Sequence, residues 1–162
     1  MGQSKIIKVP NNLKHKPIYE INNYNLIDGQ YAGESDAVGL SIGLAQWNER
    51  GRMDISAKVW RHTGEQSKGY ESEKWSRQSE ELPLHRVLDL AIFICKIKQI
   101  INDKKEGDNL KIQGGEMVIE KSYDNDCIVE DLKTLSRFLE ENNDYIDIRL
   151  KELSRILRSL GY

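Results

Sequence analysis

The sequence predicts an α+β fold: an antiparallel sheet of three to five strands, one buried helix over about 83–104, and a C-terminal helical pair. Three observations carry this. Apolar residues alternate on both sides of a short turn between Leu40 and His62, a long apolar stretch follows Pro83, and leucines recur at helical spacing beyond Asp126. At 162 residues the chain has the length of one domain. A flexible lead-in over 1–16 is expected before a single domain over 17–162, with a hairpin-and-helix core at 40–104 and a C-terminal strand and helices at 110–162.

From the N-terminus, 1–16 is polar and broken by Pro10-Asn11-Asn12, and residues 17–24 offer a strand. Two glycines and three acids between Asp28 and Asp36 spell a loop. The hairpin signal comes next. Leu40, Ile42 and Leu44 alternate with Ser41, Gly43 and Ala45 up to Trp47. After Asn48-Glu49-Arg50-Gly51, Met53, Ile55, Ala57 and Val59 alternate with Asp54, Ser56, Lys58 and Trp60. Such spacing around an Asn/Gly turn predicts two antiparallel strands with one buried face, namely Leu40, Ile42, Leu44, Ile55 and Val59. The other face, with Ser41, Gly43, Trp47, Lys58, Trp60 and His62, is expected to look away from the core. Gly39 and Gly43 fall on a strand and read as positions that permit a bulge or the close approach of another backbone.

A charged loop over 64–73 should lead to a polar third strand over 74–81 carrying Trp75, Arg77 and Ser79 on one side. Pro83 suits a first helical turn, where no N–H is needed. The apolar positions from Leu84 to Ile101 cover more than one face, so that helix should be buried, with Lys104-Lys105-Glu106-Gly107 closing it. A strand is expected over 111–121, bulged at Gly114-Gly115, and Asp124-Asn125-Asp126 can cap a helix. Ile128, Leu132, Leu135 and Leu139 form one stripe, Ile146, Leu150, Leu153, Leu157 and Leu160 another, and Asn142-Asn143 separates them into a helical pair or one kinked helix.

Composition narrows the function. The 24 Lys and Arg nearly cancel the 26 Asp and Glu, so attraction to an anionic partner must come from local clustering. Residues 40–78 are mildly basic and the C-terminal half of the chain is acidic. Cys95 and Cys127 stand far apart without zinc-ligand spacing, and histidines at 15, 62 and 85 lack the pairing a metal requires, so neither metal nor cofactor is expected. No apolar run has the length of a bilayer span, which points to a cytoplasmic protein with no membrane partner.

The residues singled out as a site are Trp47, Lys58, Trp60, Arg61, His62, Lys74, Trp75 and Arg77. Indoles on a sheet surface stack on bases of any identity, and neighbouring cations neutralise phosphates. The run from Leu44 to Trp60, followed by a charged loop, a polar strand and a helix at Leu84-His85-Arg86-Val87-Leu88, resembles the positive-cofactor-four family of transcriptional coactivators. That resemblance covers residues 40–100 and implies a dimer holding single-stranded DNA, with binding roles for Lys58, Trp60 and Arg77. The whole chain is also similar to an uncharacterised bacterial domain family. The leading expectation is a non-enzymatic module binding single-stranded DNA or RNA. The alternative is a protein-interaction or regulatory homodimer with the tryptophan face covered. A third reading is a small enzyme using His62 with a carboxylate from Asp54, Glu80 or Glu81, near His85.

Overall fold

The alternation between residues 37 and 61 folds as two paired strands in the computed structural model, which describes residues 8–63, 75–77, 79–122, 125–141 and 143–162. The chain divides into two compact units, Met1–Asp89 and Leu90–Tyr162. In the first, strands β1 (Lys16–Asn22), β2 (Ala37–Leu44), β3 (Ile55–Arg61) and β4 (Glu81–Pro83) form an antiparallel sheet in chain order. Two short 3-10 turns, Tyr24–Leu26 and Gly29–Tyr31, connect β1 to β2 where the acidic, glycine-containing loop is expected.

The register pairs Leu40 with Val59, Ser41 with Lys58, Ile42 with Ala57 and Gly43 with Ser56. Opposed residues share a face. One face therefore carries Tyr19, Ile21, Leu40, Ile42, Ala57, Val59 and Leu82, and the other Gly39, Ser41, Gly43, Ser56, Lys58, Trp60 and Glu81. The division into two faces is the expected one. Which of them is covered is reversed. Trp60, Ser41 and Ser56 are buried, whereas Ile42 is 46% and Tyr19 78% exposed.

The cover is the chain's own beginning. The stretch read as a flexible lead-in contains Val9 and His15, both buried, and the Val9 amide donates to Asn22 Oδ1 at 2.8 Å. The two strand glycines make this possible. A Cβ on Gly39 would lie 2.5 Å from Val9 Cγ2, and one on Gly43 only 2.0 Å from the Lys16 carbonyl oxygen. Here the close approach read from the glycines is met.

Three local expectations change. Strand β2 ends at Leu44 and β3 begins at Ile55, so Trp47 stands in the connecting loop and not on the sheet. The third strand is β4, at Glu81–Pro83, later and shorter than expected. His62 and Trp75 form an isolated bridge, while the charged loop over 64–73 and Lys74 lie outside the described residues. Pro83 ends β4, and helix α1 (Leu84–Asn102) starts one residue after it.

Helix α1 runs from the first unit into the second. Its end is set by Lys104, at φ +53°, with Lys105 N–H donating to the Ile100 carbonyl and Lys104 N–H to that of Ile101. This is the hydrogen-bond pattern of a Schellman cap, made here without glycine. Along α1 the expected burial is met at Ile100, while Leu88, Leu90, Phe93 and Ile94 remain exposed.

In the second unit the expected bulged strand is a hairpin: β5 (Asp108–Ile112) pairs with β6 (Gly115–Ile119) across Gln113-Gly114. Both turn residues have positive φ, +52° and +75°. That combination belongs to a tight two-residue hairpin turn, so the glycines reverse the chain where a bulge was expected. Helices α2 (Asp126–Glu141) and α3 (Asn143–Ser159) form the C-terminal pair. Asn125 Oδ1 accepts the Cys127 amide hydrogen at 3.0 Å, capping α2. Lys96 pairs with Asp108 at 2.9 Å and Lys98 with Asp147 at 3.0 Å. The Asp108 carboxyl is held down at about 2, first by Lys96 and then by the Asn109 amide. Among the described residues no helix is long and apolar enough to cross a membrane.

Candidate functional site

On the covered face of the sheet, strand alternation brings a set of polar side chains to one place beneath residues 9–15. Glu81 is the centre, its side chain 1% exposed. Its Oε1 accepts from Ser56 Oγ at 2.7 Å, from the Gln46 amide at 2.9 Å and from His15 Nδ1 at 3.0 Å. Its Oε2 accepts from Lys58 Nζ at 3.2 Å. On the far side of the imidazole, His15 Nε2 lies 2.9 Å from Ser41 Oγ, and Trp60 Nε1 donates to that same oxygen at 2.8 Å.

One assignment of protons satisfies every member. His15 carries its proton on Nδ1, facing the carboxylate; the Ser41 hydroxyl donates to Nε2; the indole donates to the hydroxyl. Aromatic packing closes the set, with the His15 ring edge-on to Trp60 at 5.7 Å and Trp75 edge-on to Trp60 at 5.6 Å. Lys58 Nζ stands 4.6 Å above the Trp60 ring. A buried carboxylate is tolerated on these terms because donors surround it. Burial pushes the Glu81 carboxyl upward, but the Gln46 amide, the Ser56 hydroxyl, His15 and Lys58 together outweigh it and hold the group below its ordinary range.

Glu81, His15 and Ser41 are connected in the order of an acid, a base and a nucleophile. In this arrangement Ser41 is 5% exposed, and its hydroxyl lies on the covered face, hydrogen-bonded to both imidazole and indole. The cluster is a lock between the lead-in and three strands.

The expected site residues are thus dispersed among different tasks. Trp60 is 1% exposed and belongs to the lock with Lys58. Trp75 packs half-buried on Trp60 and on His62, whose ring is edge-on to it at 5.7 Å. Trp47 is half-buried and donates from Nε1 to Asp54 Oδ2 at 2.9 Å. Arg61 donates to Glu80 and to Asp36, whose carboxylates raise its pKa further, Glu80 contributing most. Arg77 is exposed, and Lys74 lies outside the described residues. Of the carboxylates considered for an enzyme, Asp54 serves Trp47, Glu80 serves Arg61 and Glu81 serves His15. His85 is exposed in the first turn of α1. Among the described residues no group of three His, Cys, Asp or Glu side chains is arranged to hold a metal, and both cysteines are free.

The Arg61 cluster is partly solvated, with side-chain exposures of 34% for Arg61 and 50% for Glu80. Arg61→Ala is expected to cost only about 0.5–1 kcal/mol, and less in high salt, as read from urea midpoints at two ionic strengths.

On the opposite face lies an apolar groove of about 460 Å³, with Tyr19, Ile21, Leu40, Ile42, Ala57, Val59, Leu82 and Val87 on its walls and Glu80 at its rim. Sheet and groove together define a class: an antiparallel α+β scaffold locked on one face and open on the other. The chain belongs to a family of unknown function (DUF6530), whose model matches residues 7–162. No curated protein and no solved structure matches it.

Proposed function

We propose that the protein is a non-enzymatic interaction module that pairs with a second copy of itself through the open apolar face of its four-stranded sheet. The observation that carries this is the exposure of that face: Tyr19 at 78%, Ile21 at 53% and Ile42 at 46%, around an apolar groove. The exposed side chains of Tyr19, Ile21 and Ile42, with smaller parts of Leu40, Ala57, Val59 and Leu82, form one apolar patch. Large apolar side chains exposed side by side mark an interaction surface, and a stable interface covers about 800 Å² per partner.

A second copy suits the surface because a two-fold interface sets the same patch against itself. An uncharged sheet face meets its equal without repulsion, and two such faces pack about 10 Å apart. Arg61 and Glu80 stand together at the margin, giving the polar rim of a protein interface around its apolar centre. Single-stranded nucleic acid on the tryptophan face is less favoured, since stacking on Trp60 requires the segment from Val9 to His15 to lift.

Sedimentation equilibrium over a concentration series tests the proposal. The wild-type chain is expected to be a dimer, and Ile42→Asp a monomer with unchanged far-ultraviolet circular dichroism, because Ile42 is exposed within the chain. A wild-type monomer at every concentration, or an undiminished dimer in Ile42→Asp, refutes it.

A further inference from the structure

We propose that a second cleft, at the end of the sheet where the β2–β3 loop meets the start of β1, binds a nucleotide, with its planar base against Trp47 and its phosphate at Lys14 and Lys16. The cleft measures about 510 Å³, within the range of small-molecule sites, and its walls include Lys14, Lys16, Trp47, Asn48, Glu49 and Met53. It does not depend on the pairing proposed for the apolar face.

Three observations converge here. The first is the fixed indole. Trp47 Nε1 is tied to Asp54, and the loop beneath is pinned by Asn48 Nδ2 donating to the Asp54 carbonyl, the Asp54 amide donating to Asn48 Oδ1, and the Ala45 amide donating to the Asp54 carbonyl. A half-buried ring held in this way presents a preorganised surface for stacking.

The second is the state of the cations. Lys58 is held by Glu81, and Arg61 by Glu80 and Asp36. Lys14 and Lys16 are exposed and, among the described residues, their ammonium groups have neither an ion pair nor a hydrogen bond. Two unspent ammonium groups bordering one cleft favour an anion, and their alternation on either side of buried His15 is fixed by the lock that holds that residue. The third is the mixed wall. Met53 adds polarisable apolar surface, while Asn48 and Glu49 offer hydrogen-bonding groups to a sugar or to a base edge. An aromatic ring bearing phosphate matches all three features; an apolar ligand would leave the lysines unused.

Isothermal titration calorimetry of the full chain at low salt, with adenosine 5′-monophosphate as probe, tests this. Saturable binding is expected, weakening as salt rises, with adenosine alone and inorganic phosphate alone each binding less tightly. Lys14→Gln with Lys16→Gln should weaken the monophosphate by about tenfold or more, and Trp47→Leu by a similar factor. Because both lysines are exposed, the double variant keeps its fold, and unchanged circular dichroism verifies that. A short single-stranded oligoadenylate separates the two sources of the ligand: tighter binding than the monophosphate points to a nucleotide within a strand, equal binding to a free one. Absence of saturable binding, affinity no better than that of phosphate alone, or affinity unmoved in the lysine variant overturns the proposal.

Discussion

Glu81→Ala is expected to lower the stability of the first unit by about 3–5 kcal/mol, the scale on which removing one partner of a buried charge network acts. Four donors lose their acceptor at once: the Gln46 amide, the Ser56 hydroxyl, His15 Nδ1 and Lys58 Nζ. Lys58 is left as a cation of low exposure without its counter-charge. Urea unfolding followed by tryptophan fluorescence reads the loss directly, because Trp60 sits in the same cluster.

The same carboxylate gives the fold an acid limit. Its folded-state pKa lies below the ordinary value of 4.5, so the folded state favours the ionised form more than the unfolded chain does. The resulting stabilisation is present in full above about pH 4.5 and disappears as pH falls through the lower, folded-state pKa. Glu80, held down chiefly by Arg61, and Asp108, at about 2, act in the same direction. Unfolding midpoints measured downward from neutral pH should therefore decline below about pH 4.5, and Glu81→Gln should decline less steeply than wild type. Equal slopes for the two proteins would remove Glu81 from this account.

Gly43→Ala is the second large effect, expected at about 3 kcal/mol, the upper part of the range for overpacking. The new methyl carbon would stand 2.0 Å from the Lys16 carbonyl oxygen and 2.8 Å from its carbonyl carbon. Those are backbone atoms of β1, paired here with β2, so relief requires the whole edge strand to move. Native-state hydrogen exchange should show faster exchange along Lys16–Asn22 in the variant. Exchange unaltered in β1, with an unchanged unfolding midpoint, would mean that the close approach carries no energetic weight.

These glycines also show where sequence patterns were sufficient and where they misled. Period-two alternation placed Leu40, Ile42 and Val59 on one face and Ser41, Ser56 and Trp60 on the other, and the register agrees. Alternation says which residues keep company, not which company is covered. Ser, Gly and Lys beside an indole have the composition of an outward face, yet small side chains are also what allows another segment to settle against a sheet. His15 was invisible for a different reason. It lies between two lysines in a polar stretch without periodicity, and its partners, Ser41, Ser56 and Glu81, are 26, 41 and 66 residues away. No local signal encodes such a meeting. Trp47 was misplaced on the sheet because alternation persists past Leu44 although pairing stops there. Its capture by Asp54, seven residues on, depends on the loop's path.

The lock between His15 and Glu81 has a consequence for how the chain comes into being. Its two halves are separated by 66 positions, so a growing polypeptide has no carboxylate for His15 Nδ1 until β4 has been synthesised and paired with β3. Docking of the N-terminal segment is then completed late, because the His15–Glu81 contact is far longer in sequence than the pairings of consecutive strands it rests on. A fragment that ends before Glu81 would retain β1, β2 and β3 yet lack the carboxylate toward which the N-terminus is drawn, and its Trp60 should remain open to solvent and to quenchers.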